Sequence, residues 1–189
     1  MRYVAITGGI GSGKSFVCHL LENRGIRVYD CDSAAKRLWA TDVKLRDALC
    51  RLVGDSVYSG MVLQKRVLAQ FLLESETHKQ AVNDIIHPAV ADDFLHSGMQ
   101  WLESAILFDS GFIHRIPFDY KVCVKAPLEI RLKRVMLRDG ITRERALEWI
   151  GRQWSQEKVA ALCDFVINND GVADLETQIT RLLDNIAAQ

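Results

Sequence analysis

The segment at residues 8–15 constrains this chain more than any other. It has the sequence Gly-Gly-Ile-Gly-Ser-Gly-Lys-Ser, which matches the pattern G-x-x-x-x-G-K-[ST]. That pattern needs a buried strand before it and a helix after it. Residues 2–7 are short, apolar and partly β-branched, and residues 16–21 carry apolar side chains at helical spacing. The segment therefore predicts a strand, loop and helix that open an α/β domain.

Such a loop predicts binding of a nucleoside triphosphate. Glycines let backbone N–H groups turn inward, and the following helix N-terminus adds partial positive charge. Lys14 is predicted to reach the β- and γ-phosphates, and the Ser15 hydroxyl to contact a Mg²⁺ ion that bridges phosphate oxygens. The predicted ATP contacts are Gly9, Gly11, Ser12, Gly13, Lys14, Ser15 and Phe16. The alternative is a glycine-rich turn with a helix-capping serine. A dinucleotide fingerprint fits less well, because it does not place a lysine and a hydroxyl at the helix start.

The composition argues against a nucleic-acid-binding, a membrane-spanning and a disulfide-rich protein. The 24 basic and 24 acidic residues cancel, so no global field is expected to attract nucleic acid or an anionic membrane. No apolar run approaches the roughly 20 residues of a membrane span, and we expect no signal peptide before the loop. Five scattered cysteines favour reduced thiols over a disulfide framework. We therefore expect a cytoplasmic protein of one principal domain.

Four further strands are predicted along the chain. They cover residues 26–29, 101–108, 120–124 and 165–167, and amphipathic helices lie between several of them. Alternation of this kind predicts a doubly wound, five-stranded parallel sheet flanked by helices, whose ligands bind beyond the carboxyl ends of the strands.

The middle of the chain is predicted to be helical. Residues 34–39, 42–53, 64–74 and 76–97 all have helical patterns, and no strand is expected from 42 to 97. Pro88 is expected to kink or divide the last of these helices after His87, because proline removes a backbone donor.

One acidic side chain is a candidate general base. Asp32, with Asp30 beside it, follows the second predicted strand, where a carboxylate can accept the proton of an alcohol that attacks the γ-phosphate. The alternative is that Asp32 only caps the next helix.

Six arginines occur in residues 131–152, and Arg131, Arg134 and Arg138 share one helical face. A helical hairpin that carries them can close over ATP and neutralise the phosphoryl group in transfer. The alternative is a solvated charged face.

The ordered set of segments resembles the dephospho-coenzyme A kinase family, and the similarity extends through nearly the whole chain. It is carried by residues 8–15, Tyr-Asp-Cys-Asp at 29–32 with Ala-Ala-Lys-Arg at 34–37, Ile-His-Pro at 86–88, Ile-Leu-Phe-Asp at 106–109 and Asp-Phe-Val-Ile-Asn-Asn-Asp-Gly at 164–171.

The resemblance implies a P-loop kinase that transfers the ATP γ-phosphate to the ribose 3′-hydroxyl of dephospho-CoA, the last step of coenzyme A synthesis. It implies a core at about 1–60, 99–130 and 160–189, a helical substrate region at about 61–98 and a helical lid at about 131–159. Asp32 matches the base, Lys14 and Ser15 match the phosphate and magnesium contacts, and Arg138 lies in the lid.

The resemblance also implies acceptor contacts at Asp32, Arg37 and His87, although His87 is equally explained by helix packing. Asp109 stands where the family usually has glutamate, and it is either a water-bridged magnesium contact or a strand-end carboxylate. The expected partner is the small-molecule substrate, with no nucleic acid and no membrane, and the chain is expected to be a monomer or a weak homo-oligomer.

Two alternatives stay open at this point. One is another P-loop kinase that acts on a nucleoside, a nucleotide or a small alcohol, since the fold and the loop would be shared. The other is a nucleotide-switched binding protein. The Asn-Lys-x-Asp sequence expected of a guanine-binding switch is absent from the sequence.

Overall fold

Residues 2–188 form a mixture of helices and strands, and they are the part of the chain that the computed structural model describes. In chain order the elements are β1 (Val4–Thr7), α1 (Lys14–Glu22), β2 (Val28–Asp30), α2 (Cys31–Thr41), α3 (Val43–Val53), β3 (Tyr58–Ser59), β4 (Val62–Leu63), α4 (Lys65–Glu74), α5 (Glu76–His96), β5 (Trp101–Glu103), β6 (Tyr120–Lys125), α6 (Leu128–Asp139), α7 (Arg143–Gly151), α8 (Gln156–Ala160), β7 (Phe165–Asn168) and α9 (Leu175–Ala187). Among these elements, no helix combines the length and the apolar character that a membrane span requires.

The main sheet confirms the predicted five strands. Its order is β2-β5-β1-β6-β7, and β1 pairs in parallel with both β5 and β6, as β6 does with β7. Every residue of β1 is buried, which explains why its first three residues are apolar. Because β1 lies centrally, the loop that follows it emerges between two neighbouring strands, where doubly wound folds bind their ligands.

Helices α1 and α9 pack against the sheet through their apolar faces. Val17 and Leu21 of α1 and Ile179 and Leu182 of α9 are fully buried. Asp174 begins α9 by accepting hydrogen bonds from two backbone N–H groups of its first turn. The buried members of this core are Val4, Ile6, Val17, Cys18, Leu21, Trp101, Tyr120, Val122, Val124, Ile167, Ile179 and Leu182.

The chain divides into two compact units. The first unit extends up to Tyr29 and resumes at Met99, and the second unit comprises Asp30–Gly98. The main sheet, apart from the last residue of β2, and helices α1 and α6 to α9 belong to the first unit, whereas α2 to α5 and the hairpin of β3 and β4 belong to the second.

In the second unit, α5 differs from its prediction. It is one continuous helix with Pro88 inside it, so the division at His87 is wrong, whereas the alternative of a kink stays a prediction. Val82 and Ile86 before the proline and Val90 and Phe94 after it are all buried, and this packing offsets the loss of one backbone hydrogen bond. The short hairpin β3–β4 was also not predicted, because two-residue strands give no periodic signal.

In the first unit, the strand predicted for residues 101–108 ends at Glu103. Ser104 N still donates to Ile6 O over 3.0 Å, but residues 105–110 form turns. Leu107 is fully buried within these turns. The apolar pattern of residues 104–108 therefore indicates burial and not a strand. One predicted helix also changes its bounds in the second unit: α2 extends over Cys31–Thr41 rather than residues 34–39.

Candidate active site

Residues 8–15, the phosphate loop, curl around a space that only glycine permits. Gly11 and Gly13 have φ values of 76° and 88°. A Cβ atom at Gly13 would lie 2.1 Å from Nδ2 of Asn169, and one at Gly11 would lie 2.6 Å from the carbonyl oxygen of Arg131. The backbone of the loop is therefore sharply bent, and Asn169 and Arg131 pack tightly against its outer side.

The inner side of the loop offers backbone donors. Helix α1 begins at Lys14, and within residues 2–188 the N–H groups of Gly13, Lys14 and Ser15 have no hydrogen-bond acceptor. The Ser12 hydroxyl is fully buried and also lacks a partner in this part of the chain. Donors at a helix N-terminus, with its partial positive charge, form a site suited to phosphate.

Lys14 supplies the cationic side chain of the site. It is only 9% exposed, and its Nζ lies 3.6 Å from Oε1 of Glu103. Glu103 ends β5 and stands opposite Ile6 of β1 in the sheet register. Sequence analysis did not select Glu103, although a carboxylate that closes an apolar strand was a usable signal.

Arg131 holds the phosphate loop from α6. Its side chain is 5% exposed, and Nε donates to the carbonyl oxygen of Ile10 over 2.8 Å. Burial lowers the pKa of the Arg131 guanidinium. This contact rules out the solvated charged face as the explanation for Arg131.

Arg134, one turn further along α6, makes a second set of contacts. Its NH1 group donates to the carbonyl oxygens of Gly11 and Ser12 over 3.3 and 3.1 Å, and NH2 donates to Oδ1 of Asn169 over 3.0 Å. Asn169 is buried and donates from Nδ2 to the carbonyl oxygen of Ser12 over 3.0 Å. Arg134 and Asn169 therefore brace the loop from two elements, a role that sequence analysis missed for both.

Arg138 differs from the other two arginines of α6. Its side chain is exposed and pairs with Asp139, NH2 to Oδ2, over 2.7 Å, and this carboxylate raises the pKa of Arg138. The structure does not bring Arg138 to the phosphate loop.

Asp109 stabilises the segment after α7 through a hydrogen bond. Its Oδ2 accepts a hydrogen bond over 2.8 Å from the backbone N–H of Trp154, in the segment after α7. The residue lies in the turns after β5 and not at a strand end, so the strand-end alternative is wrong. Of the two carboxylates, it is Glu103 that lies beside Lys14.

A cleft of about 540 Å³ adjoins the helix end of the phosphate loop. Phe16, predicted to contact nucleotide, lines it and is 55% exposed. The other lining residues are Gly13, Arg134, Asn169, Gly171, Ala173 and Leu175. An exposed ring beside a guanidinium is a surface on which a nucleotide base can stack.

The second unit carries the predicted acceptor residues. Asp30 is the N-cap of α2, because its side chain accepts hydrogen bonds from the N–H groups of Asp32 and Ser33. Asp32 lies in the first turn with an exposed side chain, so the capping alternative for Asp32 is wrong. Arg37 pairs with Asp93, and His87 is buried in α5.

Comparison with known proteins identifies the family. A sequence model described as dephospho-CoA kinase matches residues 2–175. The chain belongs to the dephospho-CoA kinase family. A dephospho-CoA kinase of Bacteroides fragilis strain YCH46 is 44% identical over 191 residues, which cover 95% of this chain and 90% of that protein.

Solved structures share the fold of this chain. The crystal structure of TT1252 from Thermus thermophilus is 32% identical with a TM-score of 0.83, and the match covers 97% of each chain. Dephospho-CoA kinase from Campylobacter jejuni is 20% identical with a TM-score of 0.66 and covers 98% of each chain. The likeness to the latter shows the fold alone.

Proposed function

We propose that this chain transfers the γ-phosphate of ATP to the ribose 3′-hydroxyl of dephospho-CoA, giving CoA and ADP. One observation carries the proposal: the family match covers residues 2–175 and includes a phosphate loop whose backbone donors and buried lysine form a built phosphate site. The fold alone would not choose the acceptor, since kinases of different substrates share it.

The donor site is proposed to bind ATP along the first turn of α1. The N–H groups of Gly13, Lys14 and Ser15 would donate to phosphate oxygens, and Lys14 would neutralise charge on the β- and γ-phosphates. The base would stack in the cleft that Phe16 lines, beside the same turn.

Mg²⁺ is proposed to be held by oxygen donors of this site. The Ser15 hydroxyl and the Glu103 carboxylate are the oxygen-bearing side chains that fit, since Mg²⁺ prefers hard oxygen ligands and retains several waters. When bound there, Mg²⁺ would supply positive charge that offsets the negative charge developing on the phosphoryl group during transfer.

Asp32 is proposed to orient the acceptor hydroxyl and take its proton. Its exposed carboxylate carries no capping duty, because Asp30 performs that role. Arg37 and His87 are proposed to bind the acceptor, and Arg138 to meet the transferring phosphate after exchanging its contact with Asp139. Transfer would then depend on positioning and electrostatic stabilisation.

The substrate class, the location and the assembly of the protein are also proposed. The balanced charge of the chain supports a small-molecule substrate without nucleic acid, and the scattered free cysteines support a cytoplasmic location. A monomer or a weak homo-oligomer remains our prediction for the assembly.

The proposal is tested by an acceptor screen with the purified protein, ATP and Mg²⁺. Dephospho-CoA should stimulate ADP release, whereas nucleoside monophosphates and shikimate should not. Stimulation by one of those other acceptors in place of dephospho-CoA would refute the proposed substrate.

A further inference from the structure

Ile10 is a residue of the phosphate loop whose two backbone polar groups are both held by side chains. Its N–H group donates to Oε1 of Gln153 over 2.7 Å, and its carbonyl oxygen accepts from Nε of Arg131 over 2.8 Å. Both backbone polar groups of one loop residue are therefore bound by side chains from distant parts of the chain.

The Ile10 side chain is held as well. It packs against a small apolar cluster formed by α6, α7 and the turn between them. The buried members of that cluster are Leu132, Val135 and Ala146. Ile10 thus joins the phosphate loop to the helices of the predicted lid through both backbone and side chain.

Gly9 leaves room for these contacts. A Cβ atom at this position would lie 2.4 Å from NH2 of Arg131 and 3.2 Å from Oε1 of Gln153. Gln153 binds the N–H group and Arg131 the carbonyl oxygen of Ile10, both passing close to Gly9, and glycine allows that approach.

The segment that carries Gln153 is anchored on its other side. Trp154 N donates to Oδ2 of Asp109 over 2.8 Å, and Nε2 of Gln153 lies 3.5 Å from the carbonyl oxygen of Ala105. Gln153 is therefore supported by the turns after β5, and it can hold Ile10 in a fixed place relative to Glu103 and Lys14.

We propose that Gln153 is a positioning residue for phosphate transfer. By accepting the Ile10 N–H bond it fixes the first half of the loop, and thereby the direction of the donors at Gly13, Lys14 and Ser15. The inference deepens the proposed function and rests on it only for the transfer step, because nucleotide binding can be measured without an acceptor.

Two variants separate the hydrogen bond from packing. Gln153→Met retains most of the side-chain length and removes the acceptor, whereas Gln153→Glu retains an acceptor for the Ile10 N–H group. Gln156→Met is the matched control: both ends of the Gln156 amide bind backbone groups, as those of Gln153 do, but both of these groups belong to Ala126, which is not part of the phosphate loop.

Hydrogen exchange of the Ile10 amide and affinity for a non-hydrolysable ATP analogue are the readouts. In Gln153→Met, exchange at Ile10 should accelerate and the analogue should bind roughly tenfold more weakly, the effect of losing one buried hydrogen bond. Gln153→Glu should restore slow exchange at Ile10. Gln156→Met should lower the thermal midpoint comparably and leave both readouts unchanged.

Either of two results would overturn the positioning role. One is a Gln153→Met protein with wild-type exchange and wild-type analogue affinity, and the other is an equal loss of affinity in Gln156→Met. A wild-type protein that binds the analogue but ignores dephospho-CoA would instead refute the proposed function, so the two failures are distinct.

Discussion

Lys14 and Glu103 form a largely buried ion pair at the carboxyl edge of the sheet. Nζ of Lys14 lies 3.6 Å from Oε1 of Glu103, and the two side chains are 10% and 13% exposed. A charge this buried is costly without an opposite charge beside it. The pair thus holds a cation at the mouth of the phosphate loop before any phosphate arrives.

Lys14→Ala should weaken both the binding of ATP and the transfer of its γ-phosphate. We expect at least about tenfold weaker binding of an ATP analogue and a larger fall in turnover, because the lost cation acts on charge that grows during transfer. Calorimetry and ADP release measure the two effects. Lys133→Ala, an exposed substitution on α6, is the control and should change neither. Unchanged affinity and rate in Lys14→Ala would contradict its assignment.

Glu103→Gln should change the demand for Mg²⁺. The amide keeps the shape of the side chain but is a weaker ligand, so half-maximal activity should require several-fold more Mg²⁺. A magnesium titration of the rate measures this. Glu157→Gln removes an exposed carboxylate near Lys125 and should leave the titration unchanged. An identical midpoint in Glu103→Gln would remove this residue from the proposed metal site.

Asp32→Asn should spare ATP binding and lower turnover by around 10² to 10⁴, the usual range for loss of a general base. Asp30→Ala is the informative comparison. It removes the α2 cap and should cost about 1 kcal/mol of folding free energy while retaining most turnover. Near-normal turnover in Asp32→Asn would refute the proposed role.

Arg134→Met should destabilise the first unit and loosen the phosphate loop. It removes hydrogen bonds to Gly11, Ser12 and Asn169, and part-buried bonds to a charged donor predict a loss of about 2–4 kcal/mol. Urea unfolding measures it. Arg138→Met, which removes an exposed pair, should cost less than about 1 kcal/mol. Equal losses of unfolding free energy in the two variants would show that the loop contacts of Arg134 stabilise the protein no more than the exposed pair of Arg138 does.

Local patterns were enough to predict the frame of the fold. The glycine-lysine-serine loop placed β1 and α1, and apolar spacing placed most helices, because burial of one face has a regular period. The same signal failed at residues 104–108, where Leu107 is buried in a turn and burial does not imply a strand. Asp30 and Asp32 could not be separated by spacing, since both stand where a cap is possible.

Long-range contacts account for the rest. Arg131 meets Ile10, and Arg134 meets Ser12, across more than a hundred residues of chain. Periodicity assigns both arginines to one helical face but says nothing of what faces them. Their role in bracing the phosphate loop therefore became visible only when the loop and α6 were placed together.

The most direct test of the kinase account follows the fate of an isotopically labelled γ-phosphate. The protein is incubated with labelled ATP, Mg²⁺ and dephospho-CoA, and the products are separated and their phosphate positions assigned by NMR. The account predicts label on the ribose 3′-oxygen of the acceptor, in proportion to ADP formed. Label found only in inorganic phosphate, at a slow rate that dephospho-CoA does not alter, would contradict it and support a nucleotide-switched protein.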